Sequence, residues 1–145
     1  MTIIPVSLWY HSFESKDWTI NGYTEVQKIT NVEEYWTTFN NVELSIGMFY
    51  TMNTKYIPLW DDPKNVNGGA FTNKVDMNRG FEIYKYLSAL LFNGKLPSGT
   101  VGVSISPKIK NSVVRIWVLS NNKEGFVKSD LFDIADYGFK SNKEA

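Results

Sequence analysis

Strict alternation is the feature that constrains this chain most. Residues 101–110 switch between apolar and polar side chains up to Asn111-Ser112, and residues 113–120, apolar but for Arg115 and Ser120, continue as a strand-like run beyond it. A period of two belongs to a pleated strand with unlike faces, so the two runs read as a hairpin closed at that dipeptide. Residues 4–13 repeat the pattern, with Ile4, Val6, Leu8 and Tyr10 on one side and Pro5, Ser7, Trp9 and His11 on the other. After a polar bend at 14–17 and the Asn21-Gly22 turn signal, residues 23–29 read as the antiparallel partner of that strand. Residues 45–51, 70–75 and 131–137 are further candidate strands.

Two segments follow helical spacing instead. Thr30-Asn31-Val32-Glu33 has the form of a capping box and opens a helix expected to run to about Asn40, with Val32, Tyr35, Trp36 and Phe39 as its apolar members. Asn78 can cap a second helix that ends near Phe92, with Gly94 as its stop. From 81 to 92 only Glu82, Lys85 and Ser88 are polar, more grease than one sheet-facing stripe needs, so a second face of this helix is expected to be covered. Residues 52–69 carry two prolines, three asparagines and Gly68-Gly69, the composition of a long irregular loop, which in a compact domain is often functional. Strands, helix, strands, helix, strands is an α+β order: an antiparallel sheet with helices on one face, read as a single domain over residues 1–145.

Composition removes whole classes of function. The 145 residues hold no cysteine and one histidine, His11, which rules out thiolate nucleophiles, disulfide frameworks, sulfur-ligated metals and multi-histidine sites. No metal or cofactor is expected. Lys+Arg and Asp+Glu number 15 each, so no global field draws the chain onto DNA, and any RNA contact must come from a local basic cluster. No run approaches the roughly 18 apolar residues of a membrane span and no leader pattern opens the chain, so no membrane partner is expected and the default address is the cytoplasm. Nucleophile-elbow, P-loop, zincin and EF-hand patterns are absent. Asp61-Asp62 could act as acid and base on a nucleotide, but adjacent acids in a Pro/Asn-rich loop are ordinarily solvated turn residues, and no enzyme is expected.

Aromatic placement carries more information. Trp9 and Trp117 sit on strands, where sheet packing explains them. Trp18 and Trp60 lie in loops beside Lys16-Asp17 and Asp61-Asp62. An indole there has little core to enter, and either covers a hinge or serves as a ligand platform. Leu8-Trp9-Tyr10, Trp18, Val32-Glu33-Glu34-Tyr35-Trp36, Pro58-Leu59-Trp60-Asp61-Asp62-Pro63-Lys64-Asn65 leading to Gly68-Gly69, and Arg115-Ile116-Trp117 together resemble the eukaryotic translation initiation factor 4E family, from about Leu8 to Ser120.

That resemblance implies a curved antiparallel sheet with helices on its convex back and the 7-methylguanosine cap of messenger RNA in its concave mouth. It makes Trp18 and Trp60 the two indoles that sandwich the cationic base, through stacking and a cation–π term. Asp61, where the family usually has Glu, becomes the acceptor for the guanine N1 and N2 protons. Trp117 becomes the indole beside the N7 methyl group, and Lys108 and Lys110, on one strand face, become cations for the phosphate bridge. Ala70 and Val113 stand where the family commonly has Arg and Lys, and Arg115, on the face shared by Val113 and Trp117, is a candidate replacement. On the back, Trp36 and Val32 match the docking surface for a helix carrying a Tyr-x4-Leu-hydrophobic motif, from an initiation factor 4G-like scaffold or a 4E-binding protein. Tyr86, Leu87 and Leu90 would complete that groove. The stretch after Trp117 is short for the family's last helix, strand and loop, so a third helix is expected to be short or lost. The implied role is non-enzymatic cap binding that promotes translation initiation; the two missing cations keep open a cap-weak repressor acting through its back surface.

Overall fold

The computed structural model describes residues 2–144. Its elements are β1 (Val6–Ser12), β2 (Tyr23–Ile29), α1 (Val32–Asn41), β3 (Gly47–Asn53), β4 (Gly69–Asp76), α2 (Met77–Phe92), β5 (Thr100–Pro107), β6 (Asn111–Val118) and β7 (Gly138–Ser141), with short 3-10 turns between. The strands form one antiparallel sheet in the order β2-β1-β3-β5-β6-β4-β7, open at both edges. This is the α+β architecture expected from the alternation.

Period two divides the sheet into a helix face and an open face. Val6, Leu8, Phe49, Phe71, Val103, Ile105, Val114 and Ile116 point to the helix face, where they pack with Ile83, Tyr84, Leu87, Leu91 and Phe92 of α2 and with Tyr35 and Phe39 of α1. Tyr35 stacks between Phe39 and Phe92, at 4.4 and 4.7 Å, which fixes α1 against the end of α2. The hydroxyl of Thr51 lies 2.7 Å from that of Tyr84 and 2.8 Å from that of Ser88, a buried network that ties β3 to α2.

Several boundaries differ from the sequence reading, each for a local reason. The α1 cap is one residue later: the Asn31 side chain accepts from the Glu34 N–H (2.8 Å), and Glu34 reaches back to the Thr30 N–H (2.9 Å). In α2, Asn78 is already helical and Asp76 holds the N-cap position without a side-chain cap. The other end is as expected: Gly94, at φ 68°, lets its own N–H reach the Leu91 carbonyl and that of Lys95 reach Leu90, the paired bonds of a Schellman stop. The hairpin turn lies earlier than Asn111-Ser112 because the Lys108 N–H donates to the Asn111 carbonyl at 2.7 Å, closing β5 onto β6 across residues 108–110. Lys108 and Lys110 are therefore turn residues and do not share a strand face.

Residues 119–137 contain no α-helix, and residues 131–137 are not a strand but irregular chain ending in a 3-10 turn. Their job is burial: Phe132 and Tyr137 enter the core, Phe126 packs edge-on to Phe71 at 6.0 Å, and Arg79 near the start of α2 donates to the Asp130 carbonyl. This strap, together with Ile3 and the bond from the Ile4 N–H to the Phe92 carbonyl, supplies part of the cover that α2 required. The last strand is β7, whose residues 138–141 pair with β4.

Candidate functional site

The open face of the sheet carries a second apolar cluster, in which Tyr50, Met52, Val101 and Trp117 are buried and Trp9, Tyr23, Met48 and Tyr56 pack around them. Trp117 is fixed from two sides. Its indole N–H donates to the Ser104 hydroxyl on the neighbouring strand (3.0 Å), and Tyr50 meets it edge-on at 6.1 Å. The edge-to-face series continues from Tyr50 to Tyr23 (5.4 Å) and from Tyr23 to His11 (4.7 Å). Burial, with Tyr50 and Asp61 nearby, pushes the Tyr23 phenol above its ordinary range, so the floor is neutral at physiological pH.

His11 supports one of the two loop tryptophans. Its ring stacks on Trp18, 4.0 Å away and within 4° of parallel, covering one face of the indole and leaving 53% of the residue exposed. The ring is itself buried, with Nδ1 2.8 Å from the Ser12 carbonyl and Nε2 2.9 Å from the Asp17 carbonyl. An imidazole with one N–H serves one of these acceptors; the imidazolium serves both. The loop is tightened further by the Asp17 carboxylate, which accepts from the side chain and N–H of Thr19 and is held below the usual carboxylate range by those bonds. Gly22 is required here, since a Cβ would meet the Asp17 carbonyl oxygen at 1.8 Å.

The other loop tryptophan, Trp60, stands on a run of turns between β3 and β4. Asn65 organises them, donating from one buried amide to the carbonyls of Ile57 (2.9 Å) and Leu59 (2.8 Å). The Asp62 carboxylate accepts the Lys64 N–H at 3.1 Å and so caps a turn of this run. Trp60, 45% exposed, is left facing outward from this rigid frame.

Both indoles line one cavity of about 580 Å³ on the open face. Its wall also holds Tyr23, Tyr50, Trp117, Ser104, Ser106 and Thr72, and its cations are Lys108, Arg115 and Lys140, with no carboxylate among the lining residues. Arg115 sits on a rung between Thr72 and Ser104, half-buried, and burial lowers its pKa from the ordinary arginine value. Among the described residues the one ion pair is Lys128 with Asp133, so none of the three cations is neutralised by a protein carboxylate.

The structure brings Trp18, Trp60, Trp117, Lys108 and Arg115 to this cavity. Asp61 is exposed and lies just outside the lining, next to Trp60. Lys110 is at the hairpin tip, facing an adjoining depression with Phe13 and Ile109. Ala70 contributes a methyl group to the wall, and Val113, paired with Lys74 and Ser106, is buried off the lining. On the helix side Val32 and Trp36 are exposed, Trp36 to 54%, and Tyr86 and Leu90 are half-buried. Leu87 is a correction: it faces the sheet with no exposed surface and cannot meet a partner. Sequence reasoning missed Tyr23, Tyr50, His11 and Lys140. Alternation already put His11 on the face of Trp9, and pairing with Tyr23 follows from the hairpin; nothing local places Lys140, whose position depends on β7 joining β4. Among the described residues no group of three or more His, Asp or Glu is arranged to hold a metal ion, and no helix is long and apolar enough to cross a membrane.

The family model described as eukaryotic initiation factor 4E matches residues 6–133, which span both tryptophan loops and strands β1 to β6 beneath them. The chain belongs to the eukaryotic initiation factor 4E family. A translation initiation factor 4E homolog of Acanthamoeba polyphaga mimivirus is 32% identical over 71 residues, covering 49% of this chain and 25% of that protein. Initiation factor 4E-2 of Nicotiana tabacum is 22% identical over 99 residues, 63% of this chain and 45% of its own length. The chain thus spans half or less of the length of these curated relatives. Among solved structures, C. elegans eIF4E-3 with the 4E-binding protein Mextli and a cap analog superposes with a TM-score of 0.73 at 19% identity, over 83% of this chain and 74% of that one. Schistosome eIF4E complexed with m7GpppG and 4E-BP gives 0.69 at 22% identity, over 83% and 72%. For this member of the 4E family these likenesses establish the open seven-stranded sheet backed by two helices.

Proposed function

We propose that this 4E-family chain binds the 7-methylguanosine cap of messenger RNA in the open-face cavity and docks an initiation-scaffold or 4E-binding helix on its back. The observation that carries the reading is the pair of half-exposed indoles from separate loops, lining one cavity with three unneutralised cations and no carboxylate. N7 methylation makes guanine a flat cation, which gains stacking and cation–π energy between two indoles, while the cap's phosphates require positive charge nearby. In this reading Trp18 and Trp60 form the sandwich, with Trp117 beside the methyl group. Asp61 turns inward to accept the N1 and N2 protons, and Lys108 and Arg115 meet the phosphate bridge. The cap analog and m7GpppG named with the two solved relatives support the ligand, and the binding proteins named with them support the partner. Exposed Trp36 and Val32 offer that partner its anchor, with half-buried Tyr86 and Leu90 of α2 as further candidates. In this reading the role is binding without turnover, in the cytoplasm.

Tryptophan fluorescence tests it. Titration with 7-methylguanosine triphosphate should quench emission saturably, and Trp60→Ala should remove the effect, since base–indole stacking contributes about 1–3 kcal/mol per base. Equal affinity for methylated and unmethylated guanosine triphosphate would defeat the cation–π assignment, and absence of quenching at high micromolar ligand would defeat cap binding altogether.

A further inference from the structure

We infer that Lys140 is a phosphate-binding residue of the cavity, forming with Lys108 and Arg115 the cationic wall that receives the cap's phosphate bridge. The inference rests on the cap-binding reading above and adds a residue that the family resemblance does not reach. β7 pairs antiparallel with β4 so that Lys140 is directly opposite Ala70, and Ala70 in turn is opposite Trp117 on β6. Residues opposite one another in an antiparallel pair share a face, so Lys140, Ala70 and Trp117 stand in one row across the open side. All three line the cavity.

The middle member of that row is only a methyl group. With two strand spacings of about 4.8 Å between Lys140 and Trp117, a lysine side chain spans the gap over Ala70 without obstruction, where a larger residue at position 70 would fill it. A lysine ammonium is a mobile point charge suited to phosphate oxygens. It has no competing carboxylate: none lines the cavity, and Lys140 makes no ion pair among the described residues.

The strand that carries Lys140 is held to the Trp60 loop. The Asn142 N–H donates to the Gly68 carbonyl (2.9 Å), and the Asn142 side-chain amide donates to the carbonyl of Asn65 (2.8 Å), the residue that organises the turns under Trp60. β7 therefore delivers a cation to the wall at a position fixed relative to one of the two platforms.

The test compares wild type, Lys140→Ala and, as a control, Lys143→Ala, an exposed lysine of the same segment that does not line the cavity. Fluorescence titrations use 7-methylguanosine and its 5′-triphosphate at about 50 and 200 mM salt. Each phosphate contact contributes about 0.7 to the slope of log affinity against log salt, so losing one reduces the fourfold-salt effect on triphosphate binding by about 2.6-fold. Lys140→Ala should show that reduction and weaker triphosphate binding, with nucleoside affinity unchanged and Lys143→Ala like wild type. Moving the charge across the rung, Ala70→Lys with Lys140→Ala, should restore the salt slope. Triphosphate binding unaltered in Lys140→Ala overturns the assignment while leaving cap binding intact. An equal loss for nucleoside and triphosphate overturns it too, since Lys140 would then act through the Trp60 loop. A wild type that binds neither ligand overturns both proposals.

Discussion

Replacing His11 by Phe separates two things that the buried ring does for Trp18. Phe preserves a flat ring behind the indole but has no donor for the carbonyls of Ser12 and Asp17, which the imidazole nitrogens approach to 2.8 and 2.9 Å. A partly buried carbonyl left without its donor costs about 1–3 kcal/mol. A ring with one N–H donates to only one of the two, and water reaches part of this site, so the low end applies and about 1 kcal/mol is expected. For a chain of this size that lowers the thermal midpoint by about 2–4 °C. The functional effect is distinct. The Asp17 carbonyl is the ring's grip on the loop that presents Trp18, so releasing it makes the platform order itself on binding. That ordering should cost about 1 kcal/mol of cap affinity, five- to tenfold, within the roughly 1–3 kcal/mol that complete loss of one stacking partner would cost. Thermal unfolding followed by circular dichroism gives the first number and quenching by 7-methylguanosine triphosphate the second. An unfolding midpoint within 1 °C or so of wild type, together with a superimposable titration, would refute the reasoning, because the two carbonyl contacts would then contribute nothing.

Three further outcomes follow from the placement of particular side chains. Trp36→Ala should leave unfolding and cap quenching unchanged while removing affinity for a Tyr-x4-Leu peptide, whereas Leu87→Ala should lower stability by about 2–5 kcal/mol, as for a fully buried leucine. Calorimetry with the peptide and denaturant titration distinguish the two. Lys108→Ala should weaken triphosphate binding and reduce its salt slope by about 0.7, and Lys110→Ala, whose side chain faces the adjoining depression, should do neither. The α1 cap should be acid-sensitive: bonds from the Thr30 N–H and hydroxyl hold the Glu34 pKa below its ordinary 4.5. A depressed folded-state pKa means the stabilisation is complete above 4.5 and lost as pH falls through the folded value, so Glu34→Gln should flatten the pH dependence of unfolding over that acid range.

What the sequence made legible depended on how local its determinants were. Period two located β1, β5 and β6, and turn signals and candidate runs located β2, β3 and β4, because each is read from its own residues; the Schellman stop at Gly94 was visible for the same reason. The capping box was found one residue early because Thr30 and Asn31 are both competent caps, and only the formed helix selects Asn31. The hairpin slipped because Asn111-Ser112 is a good turn signal, yet the Lys108–Asn111 bond closes the chain sooner and changes which lysine reaches the cavity. Leu87 and Trp36 looked alike, both apolar on partly exposed helices. Helical phase separates them only once the sheet is in place, burying one and leaving the other at 54% exposure.

Charge bookkeeping hides the site for a deeper reason. The whole chain is neutral, 15 cations against 15 anions, and by that count it has no preference for an anionic ligand. Folding sorts the charges: Asp17, Glu34, Glu43 and Asp62 are drawn into caps and turns where N–H groups or hydroxyls hold them, while Lys108, Arg115 and Lys140 converge from a turn and two strands onto one concavity. A cavity walled by aromatic rings has a lower dielectric than water, so three cations there act on a bound phosphate far more strongly than their number in the sequence suggests. The selectivity for a charged nucleotide proposed for this neutral chain would therefore be a product of strand order, which brings β7 beside β4, and not of composition.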